Sequence, residues 1–203
     1  MTGLGERSHL ASPAVDLSTH VRDVAGLIEW EELGDVALVG HSYAGMVITG
    51  VADLLGDRLA TLVYLDALVP ENGQCALDLQ LPERREAILE EVAANGGWRW
   101  PPRTAEFYGV RDRARQAWVD GKCTAQPFPT LFERLRLEAP PGAKVARKLY
   151  ISCTDPPLVY MRRFHQWASE TPGWQVTELA TGHDAMVTEP EALAQILSDW
   201  VAD

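Results

Sequence analysis

Residues 36–45 read Val-Ala-Leu-Val-Gly-His-Ser-Tyr-Ala-Gly, and this stretch limits the possible folds more than any other. Four consecutive apolar residues, 36–39, suit a strand buried on both faces, the habit of a parallel sheet. The apolar residues from Met46 to position 55 suit a helix. Ser42 lies at the apex between them, with Gly40 two residues before it and Ala44 two residues after. This is the Gly-x-Ser-x-Gly/Ala turn that holds a nucleophilic serine between a strand and a helix. The small neighbours let strand and helix approach closely, and the strained turn projects the hydroxyl. The helix N-terminus offers free N–H groups and a positive dipole end to a developing oxyanion. The backbone N–H of Tyr43, the next residue, is placed to be one such donor. The competing reading is a strand-to-helix turn with an incidental serine, and downstream partners decide between the two.

The rest of the chain alternates between helix and strand patterns. Residues 1–16 are rich in Gly, Ser and Pro and read as loop. Val21, Val24, Ala25 and Ile28 recur at helical spacing within 17–33. A strand is expected at Thr61-Leu62-Val63-Tyr64-Leu65, ending at Asp66, another over 148–153, a helix over 158–169 and a last strand over 174–179. The final helix should open at Thr188-Glu189-Pro190-Glu191, a capping box with proline in the first turn. Its apolar stripe would be Leu193, Ile196, Leu197, Trp200 and Val201. Strands alternating with helices predict an α/β fold, a doubly wound, mostly parallel sheet in one domain of 203 residues. Residues 70–143 lose the alternation apart from a helix-like 83–93, and read as an insertion forming a lid.

In a fold of this kind the catalytic order is Ser, then Asp or Glu, then His. His183 sits in a Thr-Gly-His-Asp loop after the last strand, at the sheet's catalytic rim, and is the candidate general base. His9 and His20 precede the turn, His41 must point away from the nucleophile beside it, and His165 falls within a helix. For the acid, Asp155 follows the strand 148–153, although its Asp-Pro-Pro context also suits a structural turn. Asp66 follows the preceding strand and is the alternative, while Asp184 adjoins the base with a side chain expected to diverge.

Composition narrows the partners. The net charge is −11, from 29 acidic and 18 basic residues. That balance disfavours nucleic acid and anionic membrane surfaces. Cys75, Cys123 and Cys153 are widely spaced, odd in number and form no Cys-x-x-Cys, so no zinc site or disulfide framework is signalled. A cytoplasmic location is the expectation, with no metal and no cofactor. There is neither a signal-like N-terminus nor an apolar run long enough to span a bilayer.

Several motifs together identify a family resemblance. They are Gly3-Leu4-Gly5-Glu6-Arg7-Ser8-His9-Leu10, the turn Gly-His-Ser-Tyr-Ala-Gly-Met, Tyr64-Leu65-Asp66-Ala67-Leu68-Val69-Pro70 with Asn72-Gly73, and Cys153-Thr154-Asp155. Along essentially its whole length the chain resembles the bacterial relatives of plant methyl esterases and hydroxynitrile lyases, within the α/β-hydrolase superfamily. The resemblance implies a triad of Ser42, Asp155 and His183. Relatives often carry one more residue between the Cys-Thr pair and the acid. They also begin with a further strand ending in His-Gly, a Trp-Gly-rich loop that supplies a second oxyanion N–H, and another helix and strand. Against that pattern about 35 to 40 residues are missing before Thr2, so an N-terminally truncated fold is expected. Residues 1–35 offer no strand to cover the strand 36–39, which predicts an exposed edge and a tendency to pair with a second copy.

The resulting expectation is a serine hydrolase acting on small carboxylic esters through an acyl-enzyme. Lid aromatics Trp98, Trp100, Trp118 and Phe128 are candidate pocket residues, alongside Phe107, Tyr108 and Phe132. Arg99 and Arg103 are candidates for a substrate carboxylate. One alternative is a non-catalytic or impaired ligand-binding protein lacking half of its oxyanion hole. The other, a hydroxynitrile-lyase-type lyase, has less support, because the relevant relatives carry a cysteine after the nucleophile and a lid lysine near the pocket. This chain has Tyr43 there, with Lys122 alone in the lid proper.

Overall fold

The computed structural model describes residues 1–202. The first α-helix, α1 (Leu17–Trp30), starts at Asp16, whose carboxylate accepts the Thr19 N–H at 2.8 Å. In return the Asp16 N–H donates to the Thr19 hydroxyl at 3.4 Å. Such a reciprocal cap stabilises a helix by about 1 kcal/mol. The buried stripe is Leu17, His20, Val21, Ala25 and Ile28, and α1 lies against α2 (Ala44–Leu55). The segment before α1 is more ordered than its composition predicts, with a 3-10 helix over Gly5–Leu10. Thr2 anchors it, its hydroxyl donating to Asp23 at 2.9 Å.

Strand β1 (Val36–His41) leads into α2, and β2 (Leu59–Leu65) follows. The inserted segment then holds α3 (Pro82–Ala94), β3 (Arg99–Trp100), α4 (Arg113–Asp120), β4 (Gln126–Pro127) and α5 (Pro129–Phe132). Its β3 and β4 pair antiparallel. The main winding resumes with β5 (Arg147–Cys153), α6 (Arg162–Glu170), β6 (Trp174–Leu179), α7 (Ala185–Thr188) and α8 (Pro190–Ala202). The expected helix over 158–169 is split, since a 3-10 turn over Val159–Met161 precedes α6. The capping box expected ahead of α8 is replaced by α7. The Thr188 hydroxyl instead meets Thr181 Oγ1 at 2.5 Å and donates to the Asp184 carbonyl at 3.2 Å.

The four long strands form one parallel sheet in the order β1-β2-β5-β6. Helices α1, α2 and α6 share a core with one face, around Leu62, Tyr64 and Tyr150. On the other face Leu193, Ile196, Leu197 and Trp200 of α8 pack on Val63, Leu65, Leu149 and Ile151. Val201, expected in this stripe, is exposed. The architecture is therefore an α/β fold, helices on both faces of a parallel sheet, as the alternating pattern predicts, and it is compatible with the α/β-hydrolase fold that the resemblance implies. Strand β1 departs from the two-neighbour burial that its apolar run suits. Among the described residues it pairs only with β2, and it forms an edge of the sheet. Val39 stands beside Val63 in register yet is 41% exposed, because the α8 cluster does not extend to it.

The candidate active site

The C-terminal ends of the parallel strands bring the site together. Ser42 leaves β1 with φ at 56°, the left-handed region that non-glycine residues occupy only when the surroundings hold them there. Those surroundings are specific. The Ser42 N–H donates to the Leu65 carbonyl at 3.2 Å, and the Ser42 carbonyl accepts the Gly45 and Leu68 N–H groups, each at 3.1 Å. A Cβ on Gly45 would lie 2.0 Å from the Leu68 carbonyl oxygen, and one on Gly40 would lie 2.8 Å from Ile48 Cδ1. The elbow thus needs glycine at both places, and it is tied directly to the exit of β2. No acceptor among the described residues takes the Tyr43 N–H, which opens α2. The Tyr43 hydroxyl points into the protein and meets His20 Nδ1 at 3.1 Å.

His183 is 1% exposed, and its Nδ1 meets Asp66 Oδ2 at 2.7 Å. Asp66, also 1% exposed, is the first residue beyond β2 and has φ at 40°. Its other oxygen accepts the Cys153 N–H at 3.4 Å. The ring of His183 therefore carries its proton on Nδ1, facing a carboxylate. Nε2 is buried without a hydrogen-bond partner, a lone pair ready to take a proton. Burial holds the imidazole well below the usual histidine range, and the Arg84 guanidinium adds to the effect. Burial pushes the Asp66 carboxyl up, with the Cys153 N–H opposing the rise. His41 turns away from Ser42, as expected. Its Nε2 donates to the His183 carbonyl at 2.9 Å and the two rings lie 4.3 Å apart. From the inserted segment, the Tyr108 ring lies 5.1 Å from that of His183.

Asp155, the acid expected from the resemblance, is not brought to His183. Its side chain is 64% exposed and meets Arg111 at 3.2 Å. The backbone explains the difference. The loop carrying His183 returns from β6 across the sheet to β1, where it meets His41, so the ring lies above the end of β2. The Asp155 N–H holds that loop at the Thr181 carbonyl, 2.9 Å away, while its side chain faces outward. Asp184 lies beside the base without replacing Asp66, and burial raises its carboxyl to about 6. One set of groups has metal-ligand character: a nitrogen each from His41 and His183 and an Asp184 oxygen all lie within 4.8 Å of one another. One nitrogen of each ring is already engaged, by the His183 carbonyl and by Asp66.

Ser42 opens into a small pocket with a cavity volume of about 100 Å³. Its apolar wall is Leu68, Leu77, Ile88, Trp100, Leu131 and Met161, and its polar groups are Gln80, Arg84, Tyr108, Gln126 and Tyr160. Of the seven aromatics expected there, Trp100 and Tyr108 line it. Trp98 lies under the Arg99 guanidinium, 4.3 Å from its ring centre. Trp118 is largely exposed on α4, and Phe128 packs against the core and Phe132. Arg103 is paired with Glu91 at 2.7 Å. Arg84 and Gln80 escaped sequence reading because a polar residue at a helix start looks the same whether it faces water or a cavity.

Comparison with known proteins bears on the family and the fold. The model of the "Alpha/beta hydrolase family" matches residues 2–196. A "Carbendazim hydrolyzing esterase" of Nocardioides sp. (strain SG-4G) is 42% identical over 209 residues, covering 97% of this chain and 84% of the relative. A "Pyrethroid hydrolase" of Sphingobium wenxiniae is 26% identical, covering 97% of this chain and 73% of the relative. Among solved structures, an extracellular alpha/beta-hydrolase from a Paenibacillus species superposes with a TM-score of 0.84 at 23% identity, over 100% of this chain and 85% of that one. That structure is described as sharing homology with tobacco salicylic acid binding protein 2. No helix among the described residues is long and apolar enough to cross a membrane. The elbow, the sheet and these likenesses agree, and the chain belongs to the alpha/beta hydrolase family, in its ester-hydrolysing branch.

Proposed function

We propose that the protein hydrolyses small carboxylic esters by acyl transfer, with Ser42 as nucleophile, His183 as general base and Asp66 as the carboxylate that orients it. One observation carries this reading. A serine held in the left-handed region at a strand-to-helix elbow is hydrogen-bonded to Leu65, the residue before Asp66, and Asp66 in turn fixes Nδ1 of a buried histidine whose Nε2 is unpartnered. Ser42 Oγ attacks the ester carbonyl as its proton passes to His183 Nε2. The Tyr43 N–H faces the negative charge that develops on the carbonyl oxygen. The proton then goes to the departing alcohol, leaving the acyl group on Ser42. A water, deprotonated by the same nitrogen, releases the acid and restores the hydroxyl. Asp66 stays ionised, keeps the proton on Nδ1 and stabilises the imidazolium.

Pocket size favours compact substrates, and the activity named for the 42% identical relative adds carbendazim to those worth assaying. The test is hydrolysis of 4-nitrophenyl acetate and butyrate, together with labelling by a fluorophosphonate probe. Ser42→Ala should lower the rate at least about a thousandfold and abolish labelling. Equal rates in the two proteins would refute the proposal.

A further inference from the structure

Arg84 stands out among the charges of the inserted segment. It lies on the first turn of α3 and lines the pocket that contains Ser42. Its Nε donates to Gln80 Oε1 at 2.8 Å. The guanidinium lies 4.7 Å from the centre of the Tyr160 ring and 5.5 Å from that of Phe107. These contacts hold its plane, yet none supplies a negative charge, and among the described residues no carboxylate lies within 4.0 Å of it. Its neighbours differ. Arg85 and Arg134 are paired with Asp78, Arg103 with Glu91 and Arg111 with Asp155, and Arg99 lies outside the pocket against Trp98.

In a chain with 29 acidic and 18 basic residues, an unneutralised cation inside the nucleophile's pocket is conspicuous. The groups facing it there are hydroxyls, amides and apolar side chains. In such surroundings a charge is screened less than at an open surface, and a planar guanidinium matches a carboxylate with two parallel hydrogen bonds. We infer that Arg84 is a specificity residue that recognises a carboxylate on the substrate, so that the preferred esters carry one free carboxylate besides the ester being cleaved. This rests on Ser42 being the nucleophile of that pocket. It replaces Arg99 and Arg103, the arginines singled out in the sequence for this task, with one that faces the reacting centre.

The experiment compares kcat/KM for an anionic ester and its neutral partner, at pH 8, in the wild type and in Arg84→Met, which retains an apolar stem. Two pairs are used. Mono-4-nitrophenyl adipate against 4-nitrophenyl hexanoate places the charge on the acyl side, and 4-acetoxybenzoate against 4-acetoxytoluene places it on the alcohol side. Spontaneous hydrolysis is subtracted, and taking each ratio relative to wild type cancels differences in leaving group. A charge-assisted hydrogen bond contributes about 1.5–3 kcal/mol, which converts to about 10- to 100-fold. Arg84→Met should therefore lose about 10- to 100-fold on the anionic member of at least one pair, chiefly through KM. The loss on the anionic member should exceed that on its neutral partner by this factor, and Arg84→Lys should recover part of the difference. Equal changes for both members of both pairs would overturn the inference.

If Arg84→Met proves unstable by thermal melting, inhibition of the wild type decides instead. Adipate or 4-methylbenzoate should compete with a neutral ester, and only modestly more weakly at about 0.5 M salt, since a partly buried pair is screened less than an exposed one. No competition by either carboxylate would overturn the inference. Failure of the hydrolase reading shows separately, as hydrolysis of the neutral esters that survives Ser42→Ala.

Discussion

Exchange of one carboxylate oxygen for an amide tests the assignment of the acid most sharply. In Asp66 both oxygens are used, Oδ2 by His183 Nδ1 at 2.7 Å and Oδ1 by the Cys153 N–H at 3.4 Å. Both partners are donors, so the site needs two acceptors. Asn offers one oxygen and one NH2 group. If the oxygen serves the histidine, the amide faces the Cys153 N–H, donor against donor, and the negative charge that stabilises the imidazolium is gone. If the oxygen serves Cys153, the NH2 faces Nδ1, the proton moves to Nε2 and the base is lost. Either way Asp66→Asn should lower kcat by about 10⁴, about 5 kcal/mol at 1.36 kcal/mol per tenfold. The second orientation has the larger effect. Asp155→Asn removes only an exposed pair with Arg111, of a kind that contributes about 0–1 kcal/mol to stability, so kcat should change by less than about 3-fold. The assay is steady-state hydrolysis of 4-nitrophenyl butyrate, with circular dichroism melts to show that both variants fold. A larger loss in Asp155→Asn would refute the reasoning, since it would place the orienting carboxylate after β5. Small, equal losses would mean that neither residue orients His183.

Two further outcomes follow from the packing and from His41. Gly45→Ala puts a Cβ 2.0 Å from the Leu68 carbonyl oxygen. Overpacking of this kind costs about 1–3 kcal/mol or more, and the backbone that must move joins Asp66 to the elbow. Chemical denaturation should show the loss and the esterase assay a fall in kcat; unchanged stability and rate would contradict the contact. His41 is only half-buried, and desolvation with the neighbouring His183 holds it neutral, its pKa lowered from 6.5 to about 3. The unfolded chain takes up that proton first as pH falls, so the His41 contribution is fully present above pH 6.5 and is lost as pH drops from there towards 3. The slope is about 1.4 kcal/mol per pH unit within that window. His41→Gln removes this titration, and stability curves of the two proteins between about pH 6 and pH 4 should diverge by that slope. Parallel curves would mean that desolvation does not hold His41 as a neutral ring.

What could be read from the chain was whatever neighbouring residues decide together. Strand, elbow and helix around Ser42 are contiguous, and so are the hydrophobic periods behind β2, β5, β6 and α8. His183 was legible because it is the one histidine beyond the last strand. The acid was not, because Asp66 and Asp155 both follow apolar strands, and nothing local distinguishes them. The choice depends on where the loop after β6 lays the imidazole, and the order β1-β2-β5-β6 puts it over the end of β2. The same holds for the pocket. Trp98, Trp100, Trp118 and Phe128 are equally aromatic, and only the path of the inserted segment turns one of them towards Ser42. Arg84 is one polar residue among many on a charged helix until tertiary packing faces it inward without a counter-ion. Periodicity and turn chemistry act over a few residues, whereas the meeting of side chains from different strand ends depends on every element between them.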